Sequence, residues 1–189
     1  ALAMAVDAKD QVTHGHICRV QTYALRLAGT LNVTDPKELQ AIEAAALLHD
    51  MGKLGIPEHI LNKPGKLTAD EFERIKLHAP LGADMLSSGD FPYPVVPIVR
   101  HHHENWDGTG YPDGLAGDMI PIAARVIRFA DSVDAMMTVR PYRPALTAED
   151  VRAEIVRCRG KQFDPLIADR LLSSPAWEAM LPPMAHPER

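Results

Sequence analysis

A histidine and an aspartate stand side by side at positions 49 and 50. They close an Ala/Leu-rich stretch in the run Leu47-Leu48-His49-Asp50-Met51-Gly52-Lys53. A carboxylate buried without a partner is costly, so a fold that packs this stretch has to bring a counter-charge or a cation to it. Imidazole and carboxylate are both metal ligands. His78, His102-His103 and Asp131 follow, each in or beside apolar sequence, and His16 could supply another ligand from the first helix. A split set of His and Asp with no cysteine in it reads as a hydrolytic metal centre.

The chain between these residues is patterned for helix. Ile17, Val20, Ala24, Leu27, Ala28 and Leu31 recur at helical spacing. Asp35-Pro36-Lys37-Glu38 is a helix start with an N-cap, a first-turn proline and a capping-box Glu, and it opens the stretch ending at His49-Asp50. Thr68-Ala69-Asp70-Glu71 is a second capping box, whose helix should stop near His78 because Pro80 follows. Pro80 then opens a helix through Met85 and Leu86, and another runs from Val95 to about Glu104. Asn105 to Asp118, rich in Gly, Pro and Asp, reads as a loop. Pro121 opens a long helix through Ala135, and Thr147 caps one through Val156. Strand signals are weak and repeats absent. The expectation is an all-α fold, a compact single-domain helical bundle.

Adjacent residues on a helix point about 100° apart. His49 and Asp50 therefore do not present one face to a single ion, and His102-His103 pose the same question. Two ions a few ångströms apart, bound from different sides and bridged by a carboxylate, answer both. Plainer readings exist for each residue alone: a helix-end pair stabilising the dipole at 49–50, a solvated face at His101-His102-His103, and an ion pair from Asp131 to Arg125 or Arg128. The functional case rests on the joint pattern.

With 189 residues the chain can bury a sizeable core. Its formal net charge of -5 argues against a broad surface for a nucleic-acid polymer, while leaving room for a small anionic ligand held by local Lys and Arg. Cys18 and Cys158 lack zinc or redox spacing and read as buried thiols in a reducing compartment. No apolar run reaches the roughly 18 residues a membrane span needs, so no membrane contact by this domain is expected. The opening Ala1-Leu2-Ala3-Met4 lacks a signal peptide's charged start. These features suggest a cytoplasmic domain cut from a longer chain with an upstream sensor or receiver.

Several motifs resemble those of the HD-GYP domains, HD-superfamily phosphohydrolases that cleave cyclic dinucleotides, chiefly cyclic di-GMP. They are His49-Asp50-Met51-Gly52-Lys53, Ile60-Leu61-Asn62-Lys63-Pro64-Gly65-Lys66-Leu67-Thr68 and His78. The block from His102-His103-Glu104-Asn105 to Asp107-Gly108-Thr109-Gly110-Tyr111-Pro112 is the most specific, and Asp131-Ser132-Val133-Asp134-Ala135 and Arg140-Pro141-Tyr142-Arg143 complete the set. The resemblance covers roughly residues 7 to 173 of a domain taken as 1–189. It implies metal ligands at His16, His49, Asp50, His78, His102, His103 and Asp131, with Asp50 bridging two divalent ions. Iron or manganese is favoured, and nickel, cobalt or zinc would also suit. Lys53 is expected at the scissile phosphate, with Asp50 and Lys53 as the catalytic pair. Tyr111, Asp134, Arg140 and Arg143 are expected among the substrate contacts, and Asp134 is also a candidate proton donor to the leaving 3′-oxygen. The loop at Tyr111-Pro112 is implicated in contacts with GGDEF-domain partners, and a helical N-terminal extension could pair into a homodimer. Some HD-GYP domains carry a third metal on a glutamate shortly before the first histidine. Asp10-Gln11-Val12-Thr13 has no glutamate there, which, unless Asp10 substitutes, favours two ions and linear pGpG as the product, with slow further cleavage to GMP. The alternatives are another cyclic dinucleotide, such as cyclic GMP-AMP, or a module that binds a ligand or partner without turning it over.

Overall fold

In the computed structural model, residues 15–139, 144–175 and 177–178 are described. Helix α1 (His16–Thr30) buries Val20, Ala24, Leu27 and Ala28, the stripe seen in the sequence, but Cys18, off that stripe, is exposed rather than buried; Cys158 is buried as expected. Helix α2 (Pro36–Leu48) starts at the expected N-cap, with Asp35 accepting from Lys37 N and Pro36 in the first turn, but Glu38 does not close the expected capping box. A short 3-10 turn (Met51–Gly55) and the single turn α3 (Glu58–Leu61) lead to α4 (Ala69–Lys76), where Thr68 and Glu71 form both bonds of a capping box. Helices α5 (His78–Ser87), α6 (Val95–His101), α7 (Ile122–Met137), α8 (Ala148–Cys158) and α9 (Pro165–Leu172) follow. Among the described residues there is no strand, only an isolated bridge between Arg159 and Phe163.

Helix α7 is the central element. Ala124, Val126, Ile127, Phe129, Ala130 and Val133 are fully buried on it, and α1, α2 and α6 pack around it. Helix α5 lies against α6 and the 3-10 turn. The last contact is unusually close. A Cβ on Gly52 would lie 1.9 Å from His78 O and 2.5 Å from Gly82 N, so only glycine lets the turn after Asp50 touch the start of α5.

Two boundaries differ from expectation in ways that matter for the site. Pro80 does not open its helix: α5 begins two residues earlier, at His78. First-turn N–H groups have no intrahelical partner, so a proline there costs no bond. Helix α6 stops at His101 rather than Glu104, leaving His102 as its C-cap. No membrane-spanning helix occurs among the described residues, because none is long and apolar enough.

Candidate metal centre

The prospective ligands sit at helix ends. His16 is the first residue of α1, His49 the C-cap of α2, His78 the first residue of α5 and His102 the C-cap of α6. Asp131 comes from the middle of α7. The two adjacent pairs behave differently: His49 and Asp50 fall in separate donor groups, as expected, whereas His102 and His103, expected to serve two ions from different sides, lie in one group. His16, His49, Asp50, His78 and His102 are all buried, whereas His103 and Asp131 are partly buried.

Their donor atoms form two groups, each within 4.8 Å: Asp50, His78, His102 and His103 in one, and His16, His49 and Asp131 in the other. Asp50 faces both. Its Oδ1 is 3.5 Å from His78 Nε2, and its Oδ2 is 3.5 Å from His49 Nε2. His16 Nε2 lies 3.5 Å from Asp131 Oδ1. All seven residues named from the sequence as ligands are thus brought together.

The imidazole hydrogen bonds show that this cavity suits cations. His49 Nδ1 donates to Ala46 O at 2.9 Å, His78 Nδ1 to Ile75 O at 2.6 Å and His102 Nδ1 to Val99 O at 2.6 Å. A carbonyl only accepts, so each ring carries its hydrogen on Nδ1 and aims a bare lone pair from Nε2 into the cavity. His78 Nε2 and His102 Nε2 face each other at 3.3 Å, and His49 Nε2 is buried with no partner. Unpaired buried acceptors are unfavourable, and facing lone pairs repel. A cation relieves both, because two nitrogens about 2.1 Å from one ion at near-right angles sit about 3 Å apart. An all-nitrogen and oxygen donor set suits divalent first-row ions.

Electrostatics agree with neutral rings around an ionised carboxylate. Burial pushes the Asp50 carboxyl up, but Lys53 and then His49, His78 and His102 hold it well below the usual carboxylate range. Burial, reinforced by neighbouring rings, holds His102 and His103 well below an ordinary imidazole, and burial lowers His78 as well. His16 goes the other way: burial lowers it, but Asp134, Asp131 and Asp50 together raise it.

Lys53 Nζ is 2.8 Å from Asp50 Oδ2, at the edge of the centre. The Tyr111 ring stacks on His103 with centroids 4.9 Å apart, and Tyr111 N donates to His103 O at 3.2 Å. The loop folds this tightly because Gly110 has no Cβ, which would come within 2.2 Å of Asn105 N. Asp134, expected among the substrate contacts, has both oxygens occupied. Oδ2 is 2.7 Å from His16 Nδ1, and Oδ1 accepts from Arg19 Nε at 2.5 Å. Arg140 and Arg143 lie outside the described residues, as does Asp10. The plainer reading of Asp131 singled out Arg125 or Arg128, but Arg125 pairs with Asp118 and Asp164.

Two supporting residues carried no site role from the sequence: Arg19, and Arg128, which was weighed only as an ion-pair partner of Asp131. Arg19 follows His16 by three positions on one helix face, a spacing that could have flagged it. Arg128, three residues before Asp131, places Nη1 3.2 Å from His103 Nδ1 and donates from Nη2 to Asn105 Oδ1 at 3.0 Å.

The sequence matches the HD domain family over residues 1–167. It is 42% identical over 173 residues to the cyclic di-GMP phosphodiesterase response regulator RpfG of Xanthomonas campestris, covering 90% of this chain and 46% of that protein. A 3′3′-cGAMP-specific phosphodiesterase 2 of Vibrio cholerae is 39% identical over 173 residues, covering 90% of this chain and 33% of the relative. The chain therefore spans less than half the length of these relatives. An HDG"Y"P protein from Bdellovibrio bacteriovorus superposes with a TM-score of 0.68 at 27% identity, over 82% of this chain and 50% of that one. Together with the paired His/Asp groups and the loop stacked on His103, these matches show that the chain belongs to the HD domain family and, within it, to the HD-GYP group.

Proposed function

We propose that this domain is a phosphodiesterase that hydrolyses cyclic di-GMP to linear pGpG with two divalent ions. The observation that carries the reading is the convergence of Nε2 lone pairs from His49, His78 and His102 on the ionised Asp50. Relatives named as cyclic di-GMP phosphodiesterases supply the substrate class.

His78, His102, His103 and Asp50 would hold one ion, and His16, His49, Asp131 and the second oxygen of Asp50 the other; iron or manganese is the preferred pair. When bound, the ions lower the pKa of water and polarise the phosphoryl oxygens. The chain's own groups do the rest. Asp50 keeps the two sites at a fixed separation. Lys53 faces the incoming phosphate and offsets the negative charge that grows on its oxygens. Tyr111 walls the centre beside His103, and Arg140 and Arg143 take the remaining phosphate or guanine. In the reaction one P–O3′ bond breaks, a water oxygen replaces it on phosphorus, and the 3′-oxygen leaves with a proton. Asp134 orients His16 and is a positioning residue. Its engagement by His16 and Arg19 does not favour a role as proton donor. A GGDEF partner at the Tyr111-Pro112 loop, a homodimer and a cytoplasmic setting complete the proposal.

A second reading, preference for cyclic GMP-AMP, is favoured by the relatives named as specific for 3′3′-cGAMP. The test is anaerobic purification with elemental analysis, then product chromatography on cyclic di-GMP and cyclic GMP-AMP in parallel. About two ions per chain and metal-dependent pGpG formation are expected. Faster turnover of cyclic GMP-AMP would support the second reading, and loaded protein that cleaves neither would refute both.

A further inference from the structure

Arg128 has no place in the chemistry above, yet it reaches a ligand. Its Nη1 is 3.2 Å from His103 Nδ1, Nη2 is anchored by Asn105 Oδ1, and Nε is buried without a partner. A guanidinium only donates hydrogen bonds. His103 Nδ1 must therefore present its lone pair to Arg128, and the neutral ring carries its hydrogen on Nε2. This is opposite to His49, His78 and His102, whose Nδ1 atoms all face backbone carbonyls.

Neither nitrogen of His103 can bind a metal while Arg128 stays there. An ion on Nε2 moves the ring hydrogen to Nδ1, where it meets the guanidinium donor head-on. An ion on Nδ1 needs the lone pair and the space that Nη1 holds. We propose that Arg128 is a resident cation that occupies the second ion's electrostatic place at His103 and has to swing away before that ion binds. The group of Asp50, His78, His102 and His103 then fills after the group of His16, His49 and Asp131, and more weakly. Arg128 thus sets the order of loading and keeps the incompletely loaded centre charge-balanced.

The inference rests on the two-metal reading, and its test is uptake of metal alone. Metal-free protein is titrated with Co2+, followed by calorimetry and visible absorption. The intact chain should show two events, of which His16→Ala removes the tighter. Arg128→Met, which keeps the apolar stem and deletes the donors, should tighten the weaker event about tenfold or more, as expected for removing a competing charge-assisted hydrogen bond. The tighter event should stay within about threefold. Asn105→Ala, which frees the other end of the guanidinium, should shift the weaker event in the same direction. It also provides the test if Arg128→Met fails to fold by circular dichroism. A weaker event that is unchanged or weakened in these variants overturns the role of Arg128 and leaves the metal centre standing. A chain that takes up no Co2+ overturns both.

Discussion

Gly52→Ala gives the most direct test of how the fold sets the centre. The new methyl group would lie 1.9 Å from His78 O and 2.5 Å from Gly82 N, both backbone atoms that cannot rotate away. Real contacts of this kind do not fall below 3.0 Å, so the turn and α5 have to part by about 1 Å. Asp50 is two residues from the substitution and His78 carries the struck carbonyl, so that movement separates two ligands of one ion. Ligand distances at metal sites tolerate only about 0.2 Å. The substitution should weaken the ion held by Asp50, His78, His102 and His103 at least about a hundredfold. Overpacking of this kind also costs about 1–3 kcal/mol, which lowers the melting temperature of a domain this size by roughly 2–12 °C. Gly82→Ala is the internal control: its Cβ would lie 3.1 Å from Gly52 N and 3.2 Å from a Val99 methyl, so the effect should be much smaller. Metal titration and thermal melting of both variants decide the matter. A Gly52→Ala protein with unchanged metal affinity would refute the idea that this contact fixes the spacing of Asp50 and His78.

Asp134→Ala should weaken the ion at His16, His49 and Asp131 by about 10–100-fold, the usual cost of losing a ligand's hydrogen-bond partner. Asp134→Asn should recover part of that affinity by still offering an oxygen to His16 Nδ1; unchanged metal affinity with only KM raised would instead make Asp134 a substrate contact. The metal-free protein should lose stability in urea as pH falls below about 6.5. His78, His102 and His103 are held below that value by burial, so the unfolded chain takes up protons first, at up to about 1.4 kcal/mol per pH unit for each proton. His16 is raised and opposes them, but its gain is already complete below 6.5. Denaturation midpoints between pH 6.5 and 5 that stay flat or rise would refute this account.

Much of the centre was legible because its residues break local rules. Asp50 and Asp131 are carboxylates in apolar helical sequence, and only partners from elsewhere in the fold explain them. The capping signals at Asp35 and Thr68 located α2 and α4 for the same local reason. Less visible were features that depend on where a helix stops. The early end of α6 leaves His102 and His103 beyond the last helical residue with their ring centroids 4.1 Å apart in one donor group, and composition around Glu104 carries no sign of it. Helix α9, with Asp164 as N-cap and Pro165 in its first turn, had a readable start signal that the sequence reading passed over. Asp134 and Arg128 were harder. A buried carboxylate three residues from a ligand looks the same in sequence whether it meets substrate or another side chain, and the tertiary partners His16 and His103 lie more than twenty positions away.

The tether from each of three imidazoles to the carbonyl three residues earlier has a mechanical consequence. With Nδ1 fastened to a backbone turn, a ring cannot pivot alone and travels only with the helix that holds the carbonyl, which for His78 is the end of α4. The bite of the centre is therefore a gauge of how α2, the end of α4 and α6 sit against one another: a small slide of any one alters the grip on its cations without touching a single side-chain torsion.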